Sequence, residues 1–327
     1  MMIPDREYVF SSSYIKACSS KGTPAERLAR FRDAADAGAL RAIAAEVFNA
    51  AADNPYDDAI TAAVSVCREA LPDFSVIKPL LYKYDCTNIK TAIKCKIRNI
   101  PAEKLMFSCG TIPVTAVIAA GESSDFSAIP GEMGKAASKA VNEYGKTGEV
   151  RNIDLLLDCA AFTDMKREAE ESGCELIRDI VAVRADGVNF ITAMRLNSAG
   201  MASDTAASLF ERAFVPGGTM GTEAFCSKNS GVFPVKKISS YAKGVSSAPV
   251  KTAAAEGVNG DEAQRIFDEA VLKMCSKYRY KPFGPEVAIA FIVVREAEIT
   301  NCRIIEAAQK TADKDEILRE RLRVAYV

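Results

Sequence analysis

The sequence contains no histidine among its 327 residues. Histidine is the commonest general base near neutral pH and a common zinc ligand, so its absence excludes Ser–His and Cys–His nucleophile pairs. A phosphate-binding loop is lacking too. The nearest candidate, at 131–136, has Ile129 where the motif needs its first glycine and Ala136 where it needs serine or threonine. We therefore expect a non-catalytic protein with no catalytic residues, no cofactor and no metal.

Long apolar runs and paired cysteines are also lacking. No stretch of about eighteen apolar residues occurs, and the N-terminus has no basic region followed by an apolar core, so we expect no membrane span and no secretion signal. The ten cysteines are dispersed without a C-x-x-C pair, which is typical of reduced thiols. A formal net charge of −1 gives no general attraction to nucleic acid. These features predict a soluble cytoplasmic protein without nucleic-acid partners.

Helical periodicity, by contrast, runs through most of the chain. Thr23 and Glu26 flank Pro24 in the pattern of a capping box, which satisfies free backbone amides at a helix start. The segment that most resembles a strand, VAVRADGV at 181–188, is short. Because convincing alternation of apolar and polar residues is missing elsewhere, we predict an all-α fold.

Turn-forming residues divide these helical segments. Glycine, serine and proline cluster at 121–134 and 215–222, and both stretches are predicted to be connections. A longer stretch of small residues at 242–260 is predicted to be the least ordered connection, with Asn259 capping the helix that follows it. Shorter glycine-containing interruptions are expected near residue 38 and at 145–148.

The C-terminal third contains the strongest helix signal. Gly284, Pro285 and Glu286 form a start signal, because proline loses no hydrogen bond in the first turn and a carboxylate there meets the positive end of the helix dipole. The following residues, 287–294, are apolar on every side of a helix, which predicts that protein surrounds them. We expect one long helix at the centre of a core.

A short polar motif occurs three times. Its copies have the pattern D/E-x-x-N and are formed by Asp85 and Asn88, Asp186 and Asn189, and Glu298 and Asn301. The asparagines are separated by 101 residues (88 to 189) and 112 residues (189 to 301), and Lys94 and Arg195 follow the first two at the same distance. Near-equal spacing indicates three related helical units, at 1–110, 111–216 and 217–327. The motifs could line a cavity or brace each unit, and bracing is favoured because every unit would need it.

A basic stripe lies beside the first motif. Lys90, Lys94 and Arg98 recur every four residues, next to an apolar stripe formed by Ile89, Ile93 and Ile97. The apolar stripe predicts a face that packs against the core. The basic stripe is either a docking surface for an acidic partner or an ordinary solvated helix face.

Several of these segments resemble one family. The run FGPEVAIAFIVVREAEITNCRII, from Phe283, resembles the C-terminal signature of the C subunit of the rotary A/V-type ATPases, the relative of the d subunit of the eukaryotic V-ATPase. The block from Tyr84 to Lys90 resembles the family's Y-D-x-x-N-L-K element, and Asp186 to Asn189 resembles its later D-x-x-N copy. Val287 departs from the signature, which has proline there, and the N-terminus matches only loosely.

The resemblance implies three similar helical domains around a pseudo-threefold axis, forming a funnel-like socket. In that family the socket sits on the membrane proteolipid ring and receives the central-stalk subunits, so the implied function is that of a non-catalytic rotor adaptor that transmits torque for ion transport. Its location would be cytoplasmic and peripheral to the membrane, as part of a membrane-bound complex. The alternative is a free-standing helical scaffold that binds an unrelated protein; an enzyme based on Asp, Glu, Lys or Cys ranks third.

Overall fold

A computed structural model describes residues 3–19, 22–51, 53–199, 203–225, 260–324 and 326. Within these residues the regular structure is entirely helical: thirteen α-helices and four short 3₁₀ helices, with no strand. The prediction of an all-α fold is confirmed. Even the segment that most resembled a strand, 181–188, lies inside a helix.

The chain divides into two compact units, Met1–Phe74 with Val232–Val327, and Ser75–Gly231. We call them the first and second unit. The described helices of the first unit are α1 (Val9–Cys18), α2 (Pro24–Arg32), α3 (Ala37–Phe48), α4 (Pro55–Ala70), α11 (Gly260–Ser276), α12 (Pro285–Ala308) and α13 (Lys314–Arg321). Those of the second unit are α5 (Lys78–Arg98), α6 (Val114–Ser123), α7 (Gly131–Thr147), α8 (Arg151–Glu171), α9 (Glu175–Ser198) and α10 (Ser203–Ala213). The 3₁₀ helices are Asp5–Tyr8, Phe74–Ile77, Glu103–Leu105 and Thr222–Ala224.

Helix α12 is the centre of the first unit, where it packs against α1, α2, α3, α4, α11 and α13. Its start is the predicted one, with Pro285 in the first turn. Five of the eight residues at 287–294 are buried, but Ala290, Phe291 and Val294 are only half-buried. The expectation that protein surrounds the whole run is wrong for these three residues, because they border a cavity.

Helices α5 and α8 form the centre of the second unit. Helix α8 packs against α5, α7, α9 and α10, and its Ile153 and Leu157 are fully buried. On α5, Ile89 and Ile93 are buried as the apolar stripe predicts, whereas Ile97 in the last turn is half-buried. The apolar stripe of α5 therefore determines which face of this helix is buried in the second unit.

Helix ends follow local capping chemistry. The predicted capping box is present, since the Thr23 amide donates to Glu26 Oε2 (2.6 Å) and the Glu26 amide donates to Thr23 Oγ1 (3.3 Å). The break expected near residue 38 falls earlier, because Asp36 accepts from the Ala39 amide and starts α3 there (2.8 Å). Helix α5 ends before the proline at 101, at Asn99 in the left-handed conformation.

The connections are shorter than their glycine content suggests. The predicted connection at 121–134 narrows to 124–130, because α6 runs to Ser123 and α7 begins at Gly131. The interruption expected at 145–148 is wrong for its first three residues, since α7 continues to Thr147 and ends at Gly148, which has φ 70°. The predicted connection at 215–222 is confirmed up to Gly221, because a 3₁₀ helix begins at Thr222. The stretch at 242–259, with the predicted cap Asn259, lies outside the described residues.

Candidate functional site

The three motif asparagines make the same pair of hydrogen bonds. Each is fully buried, and its side-chain amide donates to the backbone carbonyl of one residue while its side-chain oxygen accepts from the amide of that same residue. The pairs are Asn88 with Phe107 (2.8 and 2.8 Å), Asn189 with Val215 (2.9 and 2.9 Å), and Asn301 with Arg323 (2.8 and 2.9 Å). Each asparagine thus fixes a later loop to its own helix by imitating a backbone partner.

The acidic residue of the first two copies binds a second point in the same loop. Asp85 accepts from the amide and hydroxyl of Thr111 (2.9 and 2.6 Å) and from the Ile112 amide (3.0 Å). Asp186 accepts from the amide and hydroxyl of Thr219 (2.9 and 2.5 Å) and from the Met220 amide (3.2 Å). A carboxylate with several such donors anchors a loop firmly.

A glycine precedes the threonine in both loops, and close packing explains it. A Cβ atom at Gly110 would lie 2.2 Å from Asp85 Oδ1, and one at Gly218 would lie 2.3 Å from Asp186 Oδ1. No other residue fits so near the carboxylate. In the first two copies the element is therefore D-x-x-N followed by a Gly-Thr pair. The pair is present in the sequence but was not part of the predicted motif.

The third copy departs from this pattern. Glu298 binds Arg27 instead of a Gly-Thr loop, with Arg27 Nε and Nη2 both 2.7 Å from Glu298 Oε1. Both residues are buried, and Arg27 was not predicted as a site residue. Asn301 gains an extra partner, the Tyr326 hydroxyl (2.9 Å), whose pKa is raised by burial. The first unit thus combines the same asparagine contact with a buried ion pair.

The start of α12 is fixed by contacts with the N-terminal segment. The Gly284 amide donates to Ser12 Oγ (3.2 Å), and Lys281 Nζ lies 2.7 Å from Glu286 Oε2 and 3.0 Å from Asp5 Oδ2. Burial opposes the charged form of Lys281, but the two carboxylates outweigh burial and raise its pKa. Gly284 therefore contacts α1 directly, and Glu286 is connected to the N-terminal segment through Lys281.

The basic stripe on α5 is mostly paired within the second unit. Lys90 Nζ lies 2.6 Å from Asp158 Oδ1, and Lys94 Nζ lies 2.6 Å from Asp154 Oδ1, both on α8. Burial lowers the pKa of Lys90, but neighbouring groups that include both aspartates outweigh burial and raise it. Arg98 is exposed, as is Arg195 near the end of α9. Two of the three stripe residues thus hold helices together.

Reversing the charge at Lys90 is expected to destabilise the second unit. Lys90→Glu removes the ion pair with Asp158 and places a third carboxylate beside two aspartates, so we expect a loss of about 1–2 kcal/mol in the free energy of unfolding. Asp158→Lys in the same chain should restore part of the loss. The measurement is urea unfolding, with Arg98→Glu on the same helix as a control that changes stability little. A Lys90→Glu variant as stable as the parent would show that the pair contributes nothing.

Within the described residues the regular structure is helical, and buried carboxylates and amides fix loops to the helices. Comparison with known proteins identifies the family of this chain: the family model of the ATP synthase (C/AC39) subunit matches residues 47–320. The chain belongs to this family. The matched residues include all three copies of the motif and all of α12.

Two curated relatives agree with this assignment. Both are described as the C subunit of a V-type ATP synthase, and they come from two strains of Thermus thermophilus. Each is 26% identical over 134 residues, which cover 39% of this chain and 41% of the relative. The match to these relatives therefore spans less than half of their length. In the part of the chain that the structure describes, no helix is long and apolar enough to cross a membrane.

Proposed function

We propose that this protein is the central-rotor adaptor of a rotary A/V-type ATPase. It joins the central stalk to the membrane proteolipid ring and transmits torque between ATP turnover and ion transport. The observation that carries this proposal is the family match over residues 47–320. As a part of such a complex the protein is cytoplasmic and peripheral to the membrane.

The repeated loop anchors suit an adaptor of this kind. Torque passes through an adaptor efficiently only if its helices and loops do not yield, and loops are ordinarily the most mobile part of a fold. Here a buried asparagine binds a loop to a helix in every copy, and in two copies an aspartate binds the same loop a second time. We infer that the motifs are structural braces.

The three-unit division at 1–110, 111–216 and 217–327 is part of this proposal. Each range holds one motif copy, and a pseudo-threefold arrangement of the three would form a funnel-like socket for the stalk. The protein would act without chemistry of its own, because the sequence supplies neither a phosphate-binding loop nor histidine. The catalytic sites and the ion path would belong to other subunits.

The exposed arginines at the ends of α5 and α9 are the best docking candidates on the second unit. Arg98 and Arg195 are exposed, whereas Lys90 and Lys94 are held by α8. Replacing both arginines with glutamate is expected to weaken attachment to the complex several-fold at low salt, with less effect at high salt, since salt screens exposed charges. The measurement is the fraction of tagged chain that remains with the membrane complex after washing.

A matched control carries the same charge change elsewhere on the same unit. Arg151 and Arg178 are also exposed, and their double replacement with glutamate should leave attachment unchanged. Equal loss in both double variants would assign the effect to net charge alone. Isolation of the tagged parent chain without stalk or ring subunits would contradict the adaptor function, and a single unrelated protein in their place would support the scaffold alternative.

A further inference from the structure

The first unit contains a cavity of about 550 Å³ beside α12. Its apolar wall is formed by Val287, Ala290, Phe291 and Val294 of α12 together with Leu272 of α11. This volume lies within the range of sites that bind small organic molecules. None of the motif asparagines lines it, but both members of the buried ion pair of the third copy do.

Arg295 lines the cavity, and its guanidinium is incompletely paired. Arg295 is 7% exposed, and its Nε and Nη1 atoms are buried without a hydrogen-bond partner among the described residues. The ring of Phe48 lies 4.4 Å from the guanidinium carbon and that of Phe291 lies 5.7 Å away. A native fold seldom leaves two buried donors of a charged group unpaired.

The nearby carboxylate does not meet this need. Glu298 Oε2 lies 3.8 Å from Arg295 Nε, too far for a hydrogen bond, while Glu298 Oε1 is bound by Arg27 at 2.7 Å. One carboxylate is thus shared by two guanidinium groups. Burial lowers the pKa of Arg295, with its proximity to Arg27 adding to the effect and Glu298 opposing it.

Further positive charge borders the cavity. Lys16 and Arg279 also line it. Lys16 Nζ donates to the backbone carbonyls of Lys281 (2.8 Å) and Pro282 (3.1 Å) and forms no ion pair with a carboxylate of the described residues. Among the described lining residues the positive side chains are Lys16, Arg27, Arg279 and Arg295, and the negative one is Glu298. The field inside therefore favours an anion.

We propose that this cavity binds a small organic anion, a carboxylate or phosphate carried on an apolar body. The anionic group accepts hydrogen bonds from Arg295, and the body packs against Phe291 and Val294. Such a ligand supplies what the site lacks, namely acceptors for the free donors and apolar surface for the half-buried residues of α12. The proposal concerns the first unit alone and does not depend on the adaptor function.

The test is a calorimetric titration of the full chain with phenyl phosphate and, separately, with benzoate. We expect saturable binding of at least one of them, and the stronger one identifies the preferred anionic group. Inorganic phosphate and benzyl alcohol each lack one half of the proposed ligand and should bind more weakly. The Arg295 Nε–H signal of protein labelled with 15N-arginine should shift on binding, because this atom gains an acceptor.

Two variants make the test specific. Arg295→Met removes the guanidinium but keeps an unbranched side chain, and should weaken binding about tenfold to a hundredfold. Arg303→Met is the matched control on the same helix, since Arg303 does not line the cavity and should leave affinity unchanged. Should Arg295→Met fail to fold, Ala290→Phe places a ring inside the cavity with Arg295 intact and should weaken binding.

Three results would overturn the proposal. The first is the absence of saturable binding by the parent chain for both aromatic anions. The second is an affinity of Arg295→Met, or of a folded Ala290→Phe variant, equal to that of the parent. The third is equal affinity for inorganic phosphate and phenyl phosphate, which would mean that an adventitious ion only is bound by surface charge.

Discussion

Asn301→Leu is expected to lower the free energy of unfolding by about 3–5 kcal/mol. Leucine has nearly the shape of asparagine but can neither donate nor accept a hydrogen bond. The change would leave the amide and carbonyl of Arg323 and the hydroxyl of Tyr326 without their partner, in a fully buried place. Each unsatisfied group costs about 1–3 kcal/mol, so the total is large.

The matched variant in the second unit should lose somewhat less. Asn88→Leu strands only the two backbone groups of Phe107, so we expect a loss of about 2–4 kcal/mol. Asn142 lies exposed on α7, and Asn142→Leu should change stability by no more than about 0.5 kcal/mol. Urea unfolding followed by circular dichroism measures all three. Losses below about 1 kcal/mol for both buried sites would refute the bracing interpretation.

The sequence predicted the helical class and the centre of the first unit because those depend on local chemistry. The start of α12 follows from proline and a carboxylate in its first turn, and the apolar face of α5 follows from its four-residue spacing. The three motif asparagines, which the sequence shows as a repeat, share the same pair of backbone hydrogen bonds.

Contacts between distant segments could not be predicted in the same way. Arg27 reaches Glu298 from 271 residues away, and nothing in the local sequence of α2 indicates a buried charge. Likewise, the sequence around Lys90 and Lys94 indicates an unpaired basic stripe, because the aspartates of α8 that bind them lie at least 60 residues further along the chain. The cavity beside α12 could not be predicted for the same reason, because an apolar segment does not indicate which face of its helix has no other helix packed against it.

The second large effect is expected at the buried ion pair of the first unit. Glu298→Gln removes the carboxylate that Arg27 and Arg295 share, and leaves two guanidinium groups buried without a counter-charge. Removing one partner of a buried pair costs about 3–5 kcal/mol, and we expect Glu298→Gln to lie in that range. Arg27→Met should cost less, because Glu298 then keeps Arg295 as a nearby cation.

A double-mutant cycle separates the ion pair from other effects of the substitutions. When Arg27 is already methionine, Glu298→Gln leaves only one buried guanidinium, that of Arg295, without a counter-charge. The double variant should therefore lose about 1–3 kcal/mol less stability than the sum of the two single losses. The control cycle uses Arg30→Met and Glu46→Gln, which break an exposed pair of the same unit (2.7 Å). Its coupling should stay below about 1 kcal/mol, since water screens exposed charges. If the losses at Arg27 and Glu298 add within about 0.5 kcal/mol, the two side chains are not energetically coupled. The ion pair between α2 and α12 would then contribute nothing to the free energy of unfolding.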